Sequence, residues 1–134
     1  MKYLLDTCTI SHFVKGHASI SKQLKACDPK LISLSSISVM EIEYGLKLNL
    51  ARAKTINAVI EALLSSVHIL PFDQQDAEVA GNLRARLKAT GTPIGPYDLL
   101  IAAQAIRHGL VLVTQNTAEF SRVPALVLED WLSG

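Results

Sequence analysis

Apolar positions along this chain come in two kinds, short continuous runs that suit strands and longer stretches with helical spacing. Tyr3, Leu4 and Leu5 form the first run, which suits a buried parallel strand ending on Asp6. Either Thr7 or Thr9 is placed to cap the helical segment that follows. Residues 10–15 and 19–26 read as two short helices broken around Gly16, with Asp28 and Pro29 as the stop. Residues 30–34 are the second predicted strand. Ser35, Ser36 and Ser38 introduce a helix through Met40, Ile42, Tyr44, Leu46 and Leu48, and Ser38 with Glu41 has the S-x-x-E form of a capping box. Residues 50–66 form a second long helix with Ile56, Ile60, Leu63 and Leu64 on its apolar face.

Residues 67–70 fit a third strand. Asp73 caps the next helix, with Asp76 in its first turn, and Val79, Leu83 and Leu87 carry it to a stop at Gly91. Pro96 suits the first position of another helix, and Asp98 falls in its first turn, where a carboxylate interacts well with the helix dipole. LVLV at 110–113 reads as a central buried strand, residues 125–128 as a last short one, and Trp131 as a packed anchor. Strands alternating with helices predict an α/β fold, a central, mostly parallel twisted sheet with helices on both faces. No repeat, low-complexity tract or linker interrupts the pattern, so residues 1–134 read as one domain.

Composition changes this picture little. A hydrophobic fraction of 49% and a charged fraction of 19% are those of an ordinary globular protein, and they argue against disorder. A net charge of +1 argues neither for nor against a nucleic-acid partner, because an acidic pocket cancels a basic rim in the sum. The longest apolar run is too short to span a bilayer and no leader precedes the first strand, so a cytoplasmic protein without a membrane partner is expected. Cys8 and Cys27 lack C-x-x-C spacing and read as free thiols, and no cation beside Cys8 marks it as a nucleophile. His12, His17, His68 and His108 are scattered, and no phosphate-binding glycine motif is present. Arg84, Arg86 and Lys88 read as a solvated helix face.

The candidate chemistry lies in the acids. Asp6 follows a strand, Glu41 sits in the first turns of a helix after a strand, Asp98 opens a helix, and Glu119 lies just past LVLV. Each has a local account as a cap or a first-turn acid. In a parallel α/β sheet, however, strand ends and the starts of following helices share one rim, so these four can converge. Two carboxylates ~4 Å apart repel by about 4 kcal/mol at an effective dielectric near 20. A divalent cation relieves that repulsion, and an all-oxygen site selects Mg²⁺ or Mn²⁺. The chemistry such a site supports is phosphodiester hydrolysis.

Four blocks carry a family likeness: LLDTCTIS, SSISVMEIEYGL, GTPIGPYDLLIAAQA and LVLVTQNTAEFSRVPALVLEDW. Together they resemble the signature blocks of PIN-domain ribonucleases, in particular the VapC toxins of bacterial toxin–antitoxin systems. The resemblance implies a toxic Mg²⁺- or Mn²⁺-dependent endoribonuclease neutralised by a VapB-type antitoxin, working as a homodimer and in a toxin–antitoxin hetero-oligomer. It implies that Asp6, Asp98 and Glu41 hold the metal, that Glu119 is the fourth catalytic acid, and that Thr7, Thr114 and Asn116 support them. The PYDLLIAAQA block is similar to that of members acting on tRNA, initiator tRNA in particular. Two positions depart from the family pattern: Cys8 stands where Asn is usual, and Asn116 where Asp is frequent.

Contacts to the RNA backbone are expected from Lys15, Lys47, Arg52 and Arg84. The helices within residues 10–26 and 40–66 carry more apolar residues than one sheet layer hides. They predict either a packed core or a groove for an amphipathic antitoxin segment. Two other classes of function remain open at this point. A catalytically inactive PIN-like binding module is compatible with Cys8 and Asn116. A receiver-like signalling domain is disfavoured, because Asp6 is followed by Thr7 rather than by a second acid.

Overall fold

A computed structural model describes residues 1–132. Five parallel strands form one sheet in the order β3-β2-β1-β4-β5. They are β1 (Tyr3–Leu5), β2 (Ile32–Ser35), β3 (His68–Leu70), β4 (Val111–Val113) and β5 (Leu128–Glu129). The chain runs outward from β1 to β3, then returns to lay β4 on the other side of β1. That reversal makes the carboxyl ends of β1 and β4 the crevice where ligands of open α/β sheets bind.

Seven α-helices connect the strands: α1 (Thr7–Val14), α2 (Ala18–Ala26), α3 (Ser36–Leu48), α4 (Leu50–Ser66), α5 (Gln74–Ala89), α6 (Pro96–His108) and α7 (Thr117–Phe120). Period-two alternation in the central strands sends neighbours to opposite faces. Leu4 and Leu112 pack with Leu83 and Leu87 of α5 and Ile101, Ala102 and Ala105 of α6. Leu5, Val113 and Leu34 pack with Ile10 of α1, Ile20 of α2 and Leu63 of α4. Helices therefore cover both faces, as the pattern predicts. Trp131 closes the second layer, 3% exposed and edge-on to Tyr3 at 5.2 Å between ring centroids.

Several boundaries differ from the sequence reading, each for a local reason. Neither Thr7 nor Thr9 caps α1, which starts earlier than expected; Asp6 does, its Oδ1 accepting the Thr9 N–H at 2.8 Å. The capping box of Ser38 with Glu41 does not form, because Ser35 already caps α3 by accepting the Ile37 N–H, which places Ser38 inside the helix. β2 starts at Ile32 rather than at residue 30, because Asp28 and Pro29 hold residues Pro29–Leu31 in a 3₁₀ turn. β3 and β4 each start one residue later than read. The last strand forms at Leu128–Glu129, not over 125–128, since Ala125 adopts a left-handed φ of 65° that no strand accommodates.

Expected features elsewhere are present. α4 spans residues 50–66, and a full capping box joins Asp73 and Asp76 at the start of α5. Gly109, at φ 64°, supplies the left-handed turn that ends α6 and returns the chain into β4. Arg84, Arg86 and Lys88 are exposed, and both cysteines are free thiols. The histidines are less scattered than the sequence suggests. The rings of His12 and His17 meet edge to face at 5.8 Å, and His108 Nε2 lies 3.9 Å from Asp76 Oδ1. Among the described residues no helix is long and apolar enough to cross a membrane.

Candidate active site

At the crevice the sheet presents Asp6, whose residue is 1% exposed. Burial pushes its carboxyl above the ordinary value, and hydrogen bonds from Thr114 and Thr9 pull in the opposite direction. Thr114, at the end of β4, donates to Asp6 Oδ2 at 2.5 Å and accepts the Asn116 N–H at 3.0 Å. Thr9 supplies its N–H to Asp6 Oδ1, while its hydroxyl donates to Val113 O at 3.0 Å and accepts Gln115 Nε2 at 2.8 Å. Both carboxylate oxygens are thus held by donors that are fixed in turn.

Glu41 reaches the crevice from α3. Its Oε1 accepts the Thr7 hydroxyl at 2.7 Å, and Thr7 Oγ1 also lies 2.9 Å from Ser38 Oγ. This explains the missing capping box, since the side chains of Ser38 and Glu41 turn toward α1 instead of toward their own helix end. Glu43, two residues on, is exposed and faces elsewhere.

Asp98 and Glu119 occupy the opposite lip. Gly95, the residue before α6, donates its N–H to Glu119 Oε1 at 2.8 Å. A Cβ at Gly95 would sit 3.4 Å from Asp98 Oδ2 and 3.5 Å from Glu119 Oε1, so both acids crowd the first turn of α6. The Asp98 carboxyl is pushed up to about 6, first by burial and then by the charges of Glu119, Asp6 and Glu41, with a hydrogen bond to Glu119 adding to the rise. The charges of acids from three other segments therefore act on Asp98.

Cys8 lies beside Asn116, just past the ends of β1 and β4. Its thiol is raised by burial and by the charges of Asp6, Asp98 and Glu41, and Asn116 Nδ2 approaches its sulfur at 3.7 Å. The two departures from the family pattern thus touch each other. Of the basic residues named from sequence, Arg52 lines a groove that begins at Thr7 and Glu41; Lys15, Lys47 and Arg84 are exposed and do not line it.

Among the described residues no three His, Cys, Asp or Glu side chains close round one point as a ready cage for an ion. The donor set nevertheless fits a hard divalent cation. It is oxygen-rich and carries more negative charge than it can hold unaided, as the elevated Asp98 carboxyl records. Mg²⁺ keeps several waters and takes one or two carboxylates directly, so a closed cage is not what it requires.

Sequence reading missed the supports that join distant segments. Thr9 with Gln115, Ser38 with Thr7, and Gly95 with Glu119 have no local signature. A second network, Asp73, Asp76, Gln104 and Arg107, braces α6 against the start of α5. Arg107 Nη1 donates to Asp76 Oδ1 at 2.9 Å and Asp73 Oδ1 at 3.0 Å, and Gln104 Nε2 donates to Asp76 Oδ2 at 3.2 Å.

Comparison with known proteins gives the family and agrees with the fold. The family model described as PIN domain matches residues 3–126. The tRNA(fMet)-specific endonuclease VapC of Salmonella typhimurium is 38% identical over 131 residues, covering 98% of both chains, and that of Shigella flexneri is 36% identical over 132 residues with the same coverage. The crystal structure of DNA-bound VapBC from Salmonella typhimurium superposes with a TM-score of 0.90 at 39% identity, over 98% of both chains. VapBC2 from Rickettsia felis, bound to a DNA fragment from their promoter, gives a TM-score of 0.88 at 33% identity, over 98% of this chain and 99% of that one. With its sheet order, its acid-lined crevice and these near full-length relatives, the chain belongs to the PIN-domain family and, within it, to the VapC ribonucleases.

Proposed function

We propose that this chain is a toxin of the VapBC type, a metal-dependent endoribonuclease whose active site is built from Asp6, Glu41, Asp98 and Glu119. The observation that supports the reading is where the acids sit: Asp6 is held by Thr114 across the ends of β1 and β4, Glu41 is joined to α1 through Thr7, and Asp98 and Glu119 meet at Gly95. Asp6, Asp98 and Glu41 would hold the cation, with Thr7, Thr114 and Asn116 in support. A bound Mg²⁺ or Mn²⁺ supplies activation of a water and stabilisation of charge on the scissile phosphate.

The chain's own groups divide the remaining work. Burial raises the Asp6 carboxyl, and the hydrogen bonds from Thr114 and Thr9 oppose that rise by favouring its ionised form. Asp98, pushed up to about 6 without a metal and hydrogen-bonded to Glu119, would release its proton as it takes up the cation. Gly95 fixes Glu119 through a backbone donor, which keeps that pair on one side of the crevice.

The substrate class is RNA, by likeness to relatives named as tRNA(fMet)-specific endonucleases, and initiator tRNA is the target to try first. The partner is a VapB-type antitoxin. Its seat is the apolar groove walled by α1, α3 and α4, from which a bound segment can send a basic side chain to the acids. An exposed stripe of Met40, Tyr44 and Leu48 on α3 supports self-association as well.

Purified protein freed of antitoxin tests the reading. It should cleave initiator tRNA with Mg²⁺ and stop when EDTA is added, and Asp6→Asn or Asp98→Asn should abolish cleavage while the chain stays folded. Cleavage indifferent to chelation, or full activity in both variants, would sink the metal assignment. A folded chain that takes up no Mn²⁺ in calorimetry would favour a module that acts only through its partner.

A further inference from the structure

On the groove side of α3, Glu41 and Gly45 stand four residues apart in one row, about 6 Å along the helix axis, and Asn49, the residue that follows α3, lines the same groove. At one end Glu41 joins the acidic crevice through Thr7. At the other, Asn49 caps α4 by accepting the Arg52 N–H at 3.0 Å, which sets Arg52 at the mouth of the groove. The intervening surface is apolar, with Val14, Ile42, Leu46 and Ile56 among the residues facing it.

Gly45 is hard to explain from the chain alone. Glycine inside a helix costs roughly 0.5–1 kcal/mol relative to alanine. Its φ is not positive, so no backbone demand calls for glycine. A Cβ placed there would meet no atom within 4 Å, so no internal packing demand does either. The missing side chain leaves a notch in the groove wall, open to whatever lies in it. Arg52 is similarly unfinished: among the described residues its guanidinium forms no ion pair.

We propose that Gly45 and Arg52 are the determinants by which this toxin selects its antitoxin. One large apolar side chain of the bound segment fills the notch over Gly45, and a carboxylate of the same segment pairs with Arg52. This rests on the reading that a VapB-type partner occupies the groove. The charges at the two ends, negative at Glu41 and positive at Arg52, fix the direction in which the segment lies. The apolar wall between them suits a protein segment better than an RNA strand, whose phosphates would meet a single cation, Arg52, among the described lining residues.

The test measures the dissociation constant of the cognate VapB-type antitoxin, purified together with this toxin and then separated, at about 0.15 M salt. It compares parent, Gly45→Ala, Gly45→Leu and Arg52→Glu, with a melting curve for each. Gly45→Leu should weaken binding on the order of 30-fold or more and Gly45→Ala less, neither melting below the parent. Arg52→Glu should weaken it roughly 10- to 100-fold, and one Asp→Lys or Glu→Lys change in the antitoxin should restore it. If the parent binds and all three variants bind within about twofold of it, the assignment of Gly45 and Arg52 fails while the partner reading stands. If no charge-reversed antitoxin rescues Arg52→Glu, the carboxylate pairing fails. A parent that binds no antitoxin overturns both, and loss of RNA cleavage with unchanged antitoxin affinity in Gly45→Leu would give the groove to RNA.

Discussion

Asp6 and Thr114, 108 residues apart in the chain, meet through a 2.5 Å hydrogen bond across the carboxyl ends of the two strands where the sheet order reverses. A buried carboxylate without donors is costly, so this contact, with the Thr9 N–H, favours the ionised form of Asp6 against its burial. Thr114→Val keeps the shape and removes the donor, and it also deprives the Asn116 N–H of its acceptor. Urea unfolding should show a loss of about 1–3 kcal/mol, and Mn²⁺ affinity at pH 7 should fall. Thr114→Ser should recover most of both, an outcome that a purely steric role for the threonine does not anticipate.

The elevated Asp98 carboxyl gives a pH dependence of known sign. Its folded value, about 6, exceeds the ordinary 3.8, so between those values the folded chain binds more protons than the unfolded one. The contribution of this group to stability therefore decreases as pH rises through that window, and its full cost is present above about 6. Without added metal, Asp98→Asn should raise the melting temperature at pH 7.5 and leave it nearly unchanged near pH 4. With metal the order should reverse, since the cation competes with the proton and its affinity for the parent should weaken as pH drops below about 6. Equal melting shifts for parent and variant at both pH values would remove this account.

Cys8 offers a reporter of the converging charges that needs neither RNA nor metal. The residue is exposed, yet partial burial of its thiol and the charges of Asp6, Asp98 and Glu41 hold that thiol above the ordinary value. In a Cys27→Ser background, alkylation at pH 8 should be slow, and Asp98→Asn or Glu41→Gln should speed it by enlarging the thiolate fraction. Rates unaffected by either change would mean that those acids do not share a pocket with the thiol.

Arg107 is the brace that seats the far end of α6. Asp76 is fully buried and Arg107 is its main counter-charge, so Arg107→Met leaves its carboxylate with the Gln104 amide and the Asp73 N–H as donors. Urea unfolding should show a clear loss of stability. Asp76→Asn paired with Arg107→Met should cost less than the sum of the two single changes. Mn²⁺ affinity of the folded fraction should hold, because the acids lie at the opposite end of the helix.

Local chemistry made much of this protein legible in its sequence. Short apolar runs marked the strands, Leu50–Ser66 announced α4 by its spacing, and Asp73 with Asp76 and Pro96 with Asp98 marked where α5 and α6 begin. These features depend on groups within a few residues of one another, and such groups meet in any conformation close to the native one. The four acids were named for the same reason, since each follows a strand or opens a helix. What only the tertiary structure decided is which partner each polar group takes when two compete for it. Ser38 and Glu41 have the spacing of a capping box, yet Ser35 takes the helix end and Thr7, on another helix, takes Glu41. Asp6 is at once the cap of α1 and the acid at the floor of the crevice, because its two oxygens accept from donors 3 and 108 residues away. Pairing across that span requires the sheet to assemble first, and the order of its strands is set by the packing of both helical layers rather than by any stretch of chain read alone.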